Sequence, residues 1–180
     1  TVAELTLGVP SPARDDAAGA LLRHLLGNLS PPSKAAGGRL IAFDQRELGG
    51  TSAISMAAEG FVYVPRACET DRCRVHVAFH GCRQGVDAVG ERFVREAGYN
   101  RWADTNRLIV LYPQATARYV WWTFNPRGCW DWWGYSDLPR NREFARKTGY
   151  QIAAIKEMID RLADGFVPGG MPQSFGAPQN

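Results

Sequence analysis

The residues whose types and spacing best suit chemistry are His80-Gly81-Cys82-Arg83-Gln84, which follow the apolar run Val75-His76-Val77-Ala78-Phe79 and lead into a helical segment. The end of a buried strand that opens into a helix is where α/β sheets place ligands. A small, sharply turned backbone there can aim an amide N–H at an oxygen gaining negative charge, which is the work of an oxyanion hole in acyl transfer. In this reading Cys82 supplies the N–H, and Gly81 permits close backbone approach. The plainer alternative is a strand-ending turn in which His80 is a buried, hydrogen-bonded side chain. Acyl transfer also needs a nucleophile, and no Gly-x-Ser-x-Gly elbow occurs. Ser52 and Ser55 lack the flanking glycines, and Ser33 follows two prolines. The other histidines, His24 on a leucine-rich helix and His76 inside a strand, read as structural.

The elements that must position this turn can be read from periodicity. Asp15 and Asp16 form an acidic cap ahead of Ala17 to Leu29, where leucines recur at helical spacing. Arg39 to Phe43 is a short strand, and polar residues through Gly49-Gly50 form a loop. Phe61 to Pro65 and Val75 to Phe79 are two strands that a hairpin-like loop makes neighbours. Glu91 to Thr105 is a helix or helix pair broken near Gly98, and Leu108 to Tyr112 is a strand buried on both faces. Strand, turn, helix and strand together make a βαβ unit. Thr148 to Leu162 is an amphipathic helix through Ile152, Ile155, Ile159 and Leu162. The expected division is an irregular segment 1–14, one α/β domain over 15–166 and a flexible tail over 167–180.

Composition narrows the function classes. With 180 residues, 45% of them hydrophobic, the chain can bury one sizeable core. Its 21 basic and 18 acidic residues are scattered, so a net charge of +3 gives no reason to expect a nucleic-acid or membrane partner. No apolar run approaches a membrane span, and Thr1 to Ser11 lacks the pattern of a signal peptide, so a secreted form would be mature or trimmed. Cys68 and Cys73 bracket a polar loop at a spacing that closes as a small disulfide, which leaves Cys82 to pair with Cys129 and hold the donor rigid. A metal site is not expected, because no histidine is placed to complete a ligand set. Paired cysteines imply an oxidising compartment; the alternative is four buried thiols in a cytosolic protein.

Several uncommon motifs occur in one order: Phe61-Val-Tyr-Val-Pro-Arg-Ala-Cys68, Cys73-Arg-Val-His-Val-Ala-Phe-His-Gly-Cys-Arg-Gln84, Ala97-Gly-Tyr-Asn-Arg-Trp-Ala-Asp-Thr-Asn106, Ile109-Val-Leu-Tyr-Pro-Gln-Ala115 and Asn125-Pro-Arg-Gly-Cys-Trp-Asp-Trp-Trp-Gly134. Together they resemble the extracellular polyhydroxybutyrate depolymerases, and Asp16 to Gly27 is similar to the segment before this block in the circularly permuted members. The resemblance runs from about Asp16 to Phe166. It implies a partial α/β-hydrolase fold, with a mostly parallel sheet flanked by helices in permuted order, secreted to the extracellular space or periplasm. It also implies that this chain is the C-terminal half. A missing N-terminal half would then carry the serine, aspartate and histidine, while this chain supplies the oxyanion turn His80-Gly81-Cys82 and part of the crevice for a polyester or small ester. No cofactor is implied.

Six tryptophans add a second feature, all but Trp102 lying between Trp121 and Trp133. Trp121, Trp122, Trp130, Trp132, Trp133 and Tyr135 crowd a loop fixed by Cys129, and aromatic walls suit a polyester segment or a sugar equally well. Roughly half are expected in the core, Trp130 against the disulfide. By resemblance an aromatic between Trp130 and Tyr135 lines the crevice, with Tyr135 foremost. Asp131 reads as structural, tying the loop through backbone N–H groups. Two alternatives remain. One is a non-catalytic module that binds a polymer or carbohydrate through the tryptophan loop. The other is an unpermuted, feruloyl-esterase-like enzyme with its serine downstream, against which the helix Asp16 to Leu29 argues.

Overall fold

The computed structural model describes residues 16–50, 56–136 and 143–165. The segments expected at 1–14 and 167–180, and Ser52 and Ser55, lie outside the described residues. Four strands, β1 (Arg39–Asp44), β2 (Glu59–Val64), β3 (Arg74–Val77) and β4 (Leu108–Tyr112), form one sheet in the order β1-β2-β4-β3. Around it lie α1 (Ala17–Leu26), α2 (Gln45–Gly49), α3 (Val86–Val89), α4 (Arg92–Glu96), α5 (Tyr99–Asn106) and α6 (Tyr150–Ala163). The fold is α/β, an open mixed sheet flanked by helices. Among the described residues no helix is long and apolar enough to cross a membrane.

The sheet departs from the mostly parallel arrangement that was expected. Only β3 and β4 pair in parallel, with Val75 opposite Ile109, while β1 with β2 and β2 with β4 are antiparallel. Nor do β2 and β3 pair with each other. They run in opposite directions, as a hairpin would require, but β4 lies between them. The cause is in β4 itself. All five of its side chains are buried, so it must be covered on both faces and takes the centre of the sheet, leaving the more polar and shorter β3 at an edge. The expected βαβ unit is present, with α3, α4 and α5 connecting β3 to β4.

Alternation along the strands divides the core in two. Val62, Val64, Ile109 and Leu111 face Leu48 of α2 and Ala154, Ile155, Met158 and Leu162 of α6. Phe61, Tyr63, Leu108, Val110 and Tyr112 face Ala18 and Leu22 of α1, Val94 of α4 and Trp102 of α5. Asp16 caps α1 by accepting from the Gly19 N–H and also accepts the Trp102 indole N–H at 3.0 Å, which ties the first helix to the core. Gly27, at φ +79°, ends α1 three residues before the expected Leu29. Gly98, at φ +93°, separates α4 from α5 where the break was read.

One element was read as loop. Gln45–Gly49 is helical because Asp44 accepts from the Arg46 N–H as its cap and Leu48 is fully buried. Gln45 at its start is also fully buried. Its Nε2 donates to the carbonyls of Ala57 and Gln114, and its Oε1 accepts from the Gln114 N–H at 2.9 Å. Replacing Gln45 by Leu leaves the Ala57 carbonyl and the Gln114 N–H buried without these partners, and is expected to lower stability by about 2–4 kcal/mol in urea titration.

Candidate functional site

The chain leaves β3 at Val77, and the Ala78 N–H still donates to the Leu111 carbonyl before the backbone turns. Phe79 is then half-exposed while His80 is buried. Residues 81–84 form a tight turn in which the Gln84 N–H donates to the Gly81 carbonyl at 3.1 Å, with Arg83 at φ +61°. The Gly81 N–H donates to the Gln84 Oε1 at 2.9 Å and the Arg83 N–H donates to the Arg127 carbonyl at 2.8 Å. Three of the four turn amides are thus engaged within the chain. The fourth, that of Cys82, has no hydrogen-bond partner among the described residues, and Cys82 is exposed.

The imidazole of His80 lies behind the turn. Its Nε2 lies 3.1 Å from the Ala115 N–H, which can only donate, so Nε2 accepts and Nδ1 carries the proton that it donates to the Gly81 carbonyl at 2.8 Å. Burial holds the His80 pKa below the usual histidine range, against smaller opposing effects of the Gly81 carbonyl and Asp87. The ring is therefore neutral, with both nitrogens in use. Burial also lowers the pKa of His76, whose ring packs 5.1 Å from that of Tyr99.

Cys82 is disulfide-bonded to Cys129, and Cys68 to Cys73. Cys129 is itself clamped. Asn125 accepts from its N–H and donates to its carbonyl, both at 2.9 Å, and the Tyr135 hydroxyl donates to the same carbonyl at 2.8 Å. Gln151 of α6 donates to the Tyr135 hydroxyl and accepts from the Asp131 N–H, each at 2.8 Å. Asp131 ties the following loop. One carboxylate oxygen accepts from the N–H groups of Trp133, Gly134 and Tyr135, and the other from the N–H and hydroxyl of Ser136. The structural reading of Asp131 therefore holds.

Beside the turn opens an apolar groove of about 710 Å³ whose walls include Phe79, Trp130, Trp132, Phe144, Ile152 and Ile155. It adjoins the turn at two points, because Phe79 precedes His80 and Trp130 follows Cys129. The Trp130 indole N–H donates to the His80 carbonyl at 3.0 Å, and its ring meets Phe79 edge-on.

The structure thus brings together Trp130, Trp132 and the turn, but not the other predicted aromatics. Tyr135 is not among the groove walls. It is buried at 4% exposure with its hydroxyl spent between Cys129 and Gln151, so it is a brace. Trp133 packs on Tyr135 at 4.8 Å and does not line the groove. Trp121 is 86% exposed in a short turn closed by an Arg118–Asn125 bridge and is not among these walls. Trp102 is fully buried and Trp130 partly so, Trp121, Trp132 and Trp133 are exposed, and the Trp122 side chain lies outside the described residues. Missed entirely were Phe79, Phe144 and the groove side of α6. The signal for the last was present, since Ile152 and Ile159 lie to one side of the buried Ala154, Ile155, Met158 and Leu162 and extend the apolar face. Among the described residues no group of three or more His, Cys, Asp and Glu is arranged to hold a metal ion.

No family model matches the chain. It is 42% identical over 167 residues to a poly(3-hydroxybutyrate) depolymerase of Delftia acidovorans, covering 89% of this chain and 31% of that protein. It is 37% identical over 161 residues to a polyhydroxybutyrate depolymerase of Talaromyces funiculosus, covering 84% and 46%. The crystal structure of PHB depolymerase from Penicillium funiculosum superposes with a TM-score of 0.75 at 36% identity, over 84% of this chain and 49% of that one. A serine-to-alanine PHB depolymerase complexed with an R3HB trimer gives 0.77 over the same shares. This chain spans 31% and 46% of the length of these two relatives.

Because burial lowers the pKa of both His76 and His80, the unfolded chain takes up protons at these positions at pH values where the folded chain does not. Their contribution to stability is complete above about pH 7 and is lost as the pH falls through the ordinary histidine range toward the folded values. The melting temperature is expected to decline between about pH 7 and pH 5, with a shallower decline in His76→Phe, as calorimetry across that range will show.

Proposed function

We propose, for a chain homologous over most of its length to part of the polyhydroxybutyrate depolymerases, that it supplies the oxyanion-binding turn and one wall of the substrate groove of a secreted serine esterase. The observation that carries this reading is the Cys82 amide, unengaged among the described residues while its neighbours in the turn are bonded, in a turn flanked by two residues of the groove wall, Phe79 directly before it and Trp130 beyond the Cys82–Cys129 disulfide. The two disulfides favour an oxidising compartment.

In this reading residues 15–166 are the C-terminal half of a permuted fold, and the serine, aspartate and histidine lie on a preceding segment. The serine oxygen attacks the ester carbonyl as the histidine, oriented by the aspartate, takes its proton. The Cys82 N–H stabilises the tetrahedral oxyanion. Collapse breaks the ester C–O bond, the histidine returns the proton to the departing hydroxyl, and water releases the acyl group by the same steps in reverse. Trp130 and Trp132 hold the apolar part of a 3-hydroxyacyl chain against Phe79 and Ile152. The exposed Trp121 favours a second reading, adsorption to a polymer without turnover.

The segment 16–165 expressed alone is expected to hydrolyse p-nitrophenyl butyrate no faster than background, whereas the full-length protein cleaves a 3-hydroxybutyrate trimer. Turnover by the isolated segment, or none by the full-length protein, counts against the esterase reading, and the second result favours adsorption. In the full-length protein Trp132→Ala is expected to raise KM for the trimer about tenfold with kcat little changed, because the ring binds substrate and transition state alike.

A further inference from the structure

We propose that His80 is a positioning residue, holding the Gly81–Cys82 peptide so that the Cys82 N–H faces the reacting ester; this rests on the esterase reading above. A trans peptide is planar, so its C=O and N–H point in opposite directions. Whatever fixes the Gly81 oxygen therefore also fixes the Cys82 hydrogen. That oxygen accepts two hydrogen bonds, one from His80 Nδ1–H at 2.8 Å and one from the Gln84 N–H at 3.1 Å. Rotating the Gly81–Cys82 peptide breaks both, so the two bonds fix the direction of the Cys82 N–H.

The imidazole can serve as a fixed reference because it is itself held from three sides. The Ala115 N–H donates to its Nε2, the Trp130 indole N–H donates to the His80 carbonyl, and the ring lies 5.3 Å from Trp130 and 6.3 Å from Phe93. Asp87 of α3 is the charged group that faces it, and its Oδ2 is occupied by the Thr116 hydroxyl and the Ala117 N–H. With both ring nitrogens engaged and the residue 2% exposed, His80 is unsuited to shuttling protons. Its contribution is directional. An imidazolium would place a second proton on Nε2 against the Ala115 N–H and release the reference.

The experiment uses the full-length protein, with kcat and KM for a 3-hydroxybutyrate trimer expressed per active site counted by the acyl-enzyme burst. Asn at position 80 keeps a donor near the place of Nδ1, whereas Gln reaches toward Ala115 and loses the bond to the Gly81 oxygen. His80→Gln is expected to lower kcat per titrated site about 10- to 100-fold with KM nearly unchanged, and His80→Asn to recover most of the loss. A merely structural role would lower the number of titrated sites and leave the rate at each one intact, and that result overturns the positioning role while leaving the esterase reading standing. Absence of hydrolysis by the wild-type protein overturns both. Should His80→Gln not fold, the ¹⁵N shifts of His80 in the wild type decide: a neutral ring protonated at Nδ1 from about pH 6 to 8 supports the role, and one protonated at Nε2 overturns it.

Discussion

Everything near the site hangs from the central position of β4. A strand with five buried side chains in succession has to be covered on both faces and paired on both edges, so it sets where β2, β3 and the flanking helices lie. Its continuation carries that order to the surface. Beyond Tyr112 the ladder stops, and the backbone groups of the next residues bond sideways. The Gln114 N–H donates to Gln45, the Gln114 side chain accepts from the Val86 N–H at the start of α3, and the Ala115 N–H donates to His80. Gln45 and the His80–Val86 segment, far apart in sequence, both take their positions from two residues after one strand. Core burial, which is non-directional, is thereby converted into hydrogen-bond geometry, which is directional.

A second brace reaches the turn through Cys129 and is built from polar groups. Gln151 of α6 engages Tyr135 and Asp131, Tyr135 engages Cys129, and the disulfide passes the constraint to Cys82. Asn125 closes the same loop at both ends of Cys129. A partly satisfied network of this kind would be a liability in a buried setting. Here each member finds its partner within the loop or on α6, so the network rigidifies the loop. The cysteine beside the unengaged amide is thus held through its side chain by one network and through its peptide plane by the other.

The sequence made most of the framework legible and less of the site. Leu108 to Tyr112, the break at Gly98 and the Asp16 cap were readable because each is a local signal: an apolar run, a residue tolerant of positive φ, a side chain placed to accept from the first turn. Strand order was not, because the loop between Cys68 and Cys73 joins strands that point opposite ways whether or not another strand intervenes. Whether one does depends on where the most buried strand must sit. The same limit applies to the aromatics. Trp130, Asp131, Trp132, Trp133 and Tyr135 are alike in being large or polar residues beside a cysteine, yet across the turn that Asp131 ties Trp132 lines the groove while Tyr135 is buried against the Cys129 carbonyl. Their separation is made by backbone geometry over five residues, which composition does not encode.

The distribution of stiffness is itself an argument about how the site works. An oxyanion donor contributes to rate only if it needs no rearrangement as charge develops, so its fixation must not depend on the substrate. In this chain every group that holds the turn lies within the chain: Ala115, Gln84 and Trp130 around His80, and Cys129 around Cys82. The groove is the converse. Phe79, Trp132 and Ile152 are held at one end by the fold and stand 51%, 73% and 42% exposed at the other, a contiguous apolar surface of the kind that calls for a partner. Among the described residues the turn's hydrogen bonds are made and these apolar side chains stand exposed. Under the proposed division of the active site, joining the remaining segment therefore buries apolar area and brings a nucleophile to a donor already in place, and the amide does not have to be reoriented when the two meet.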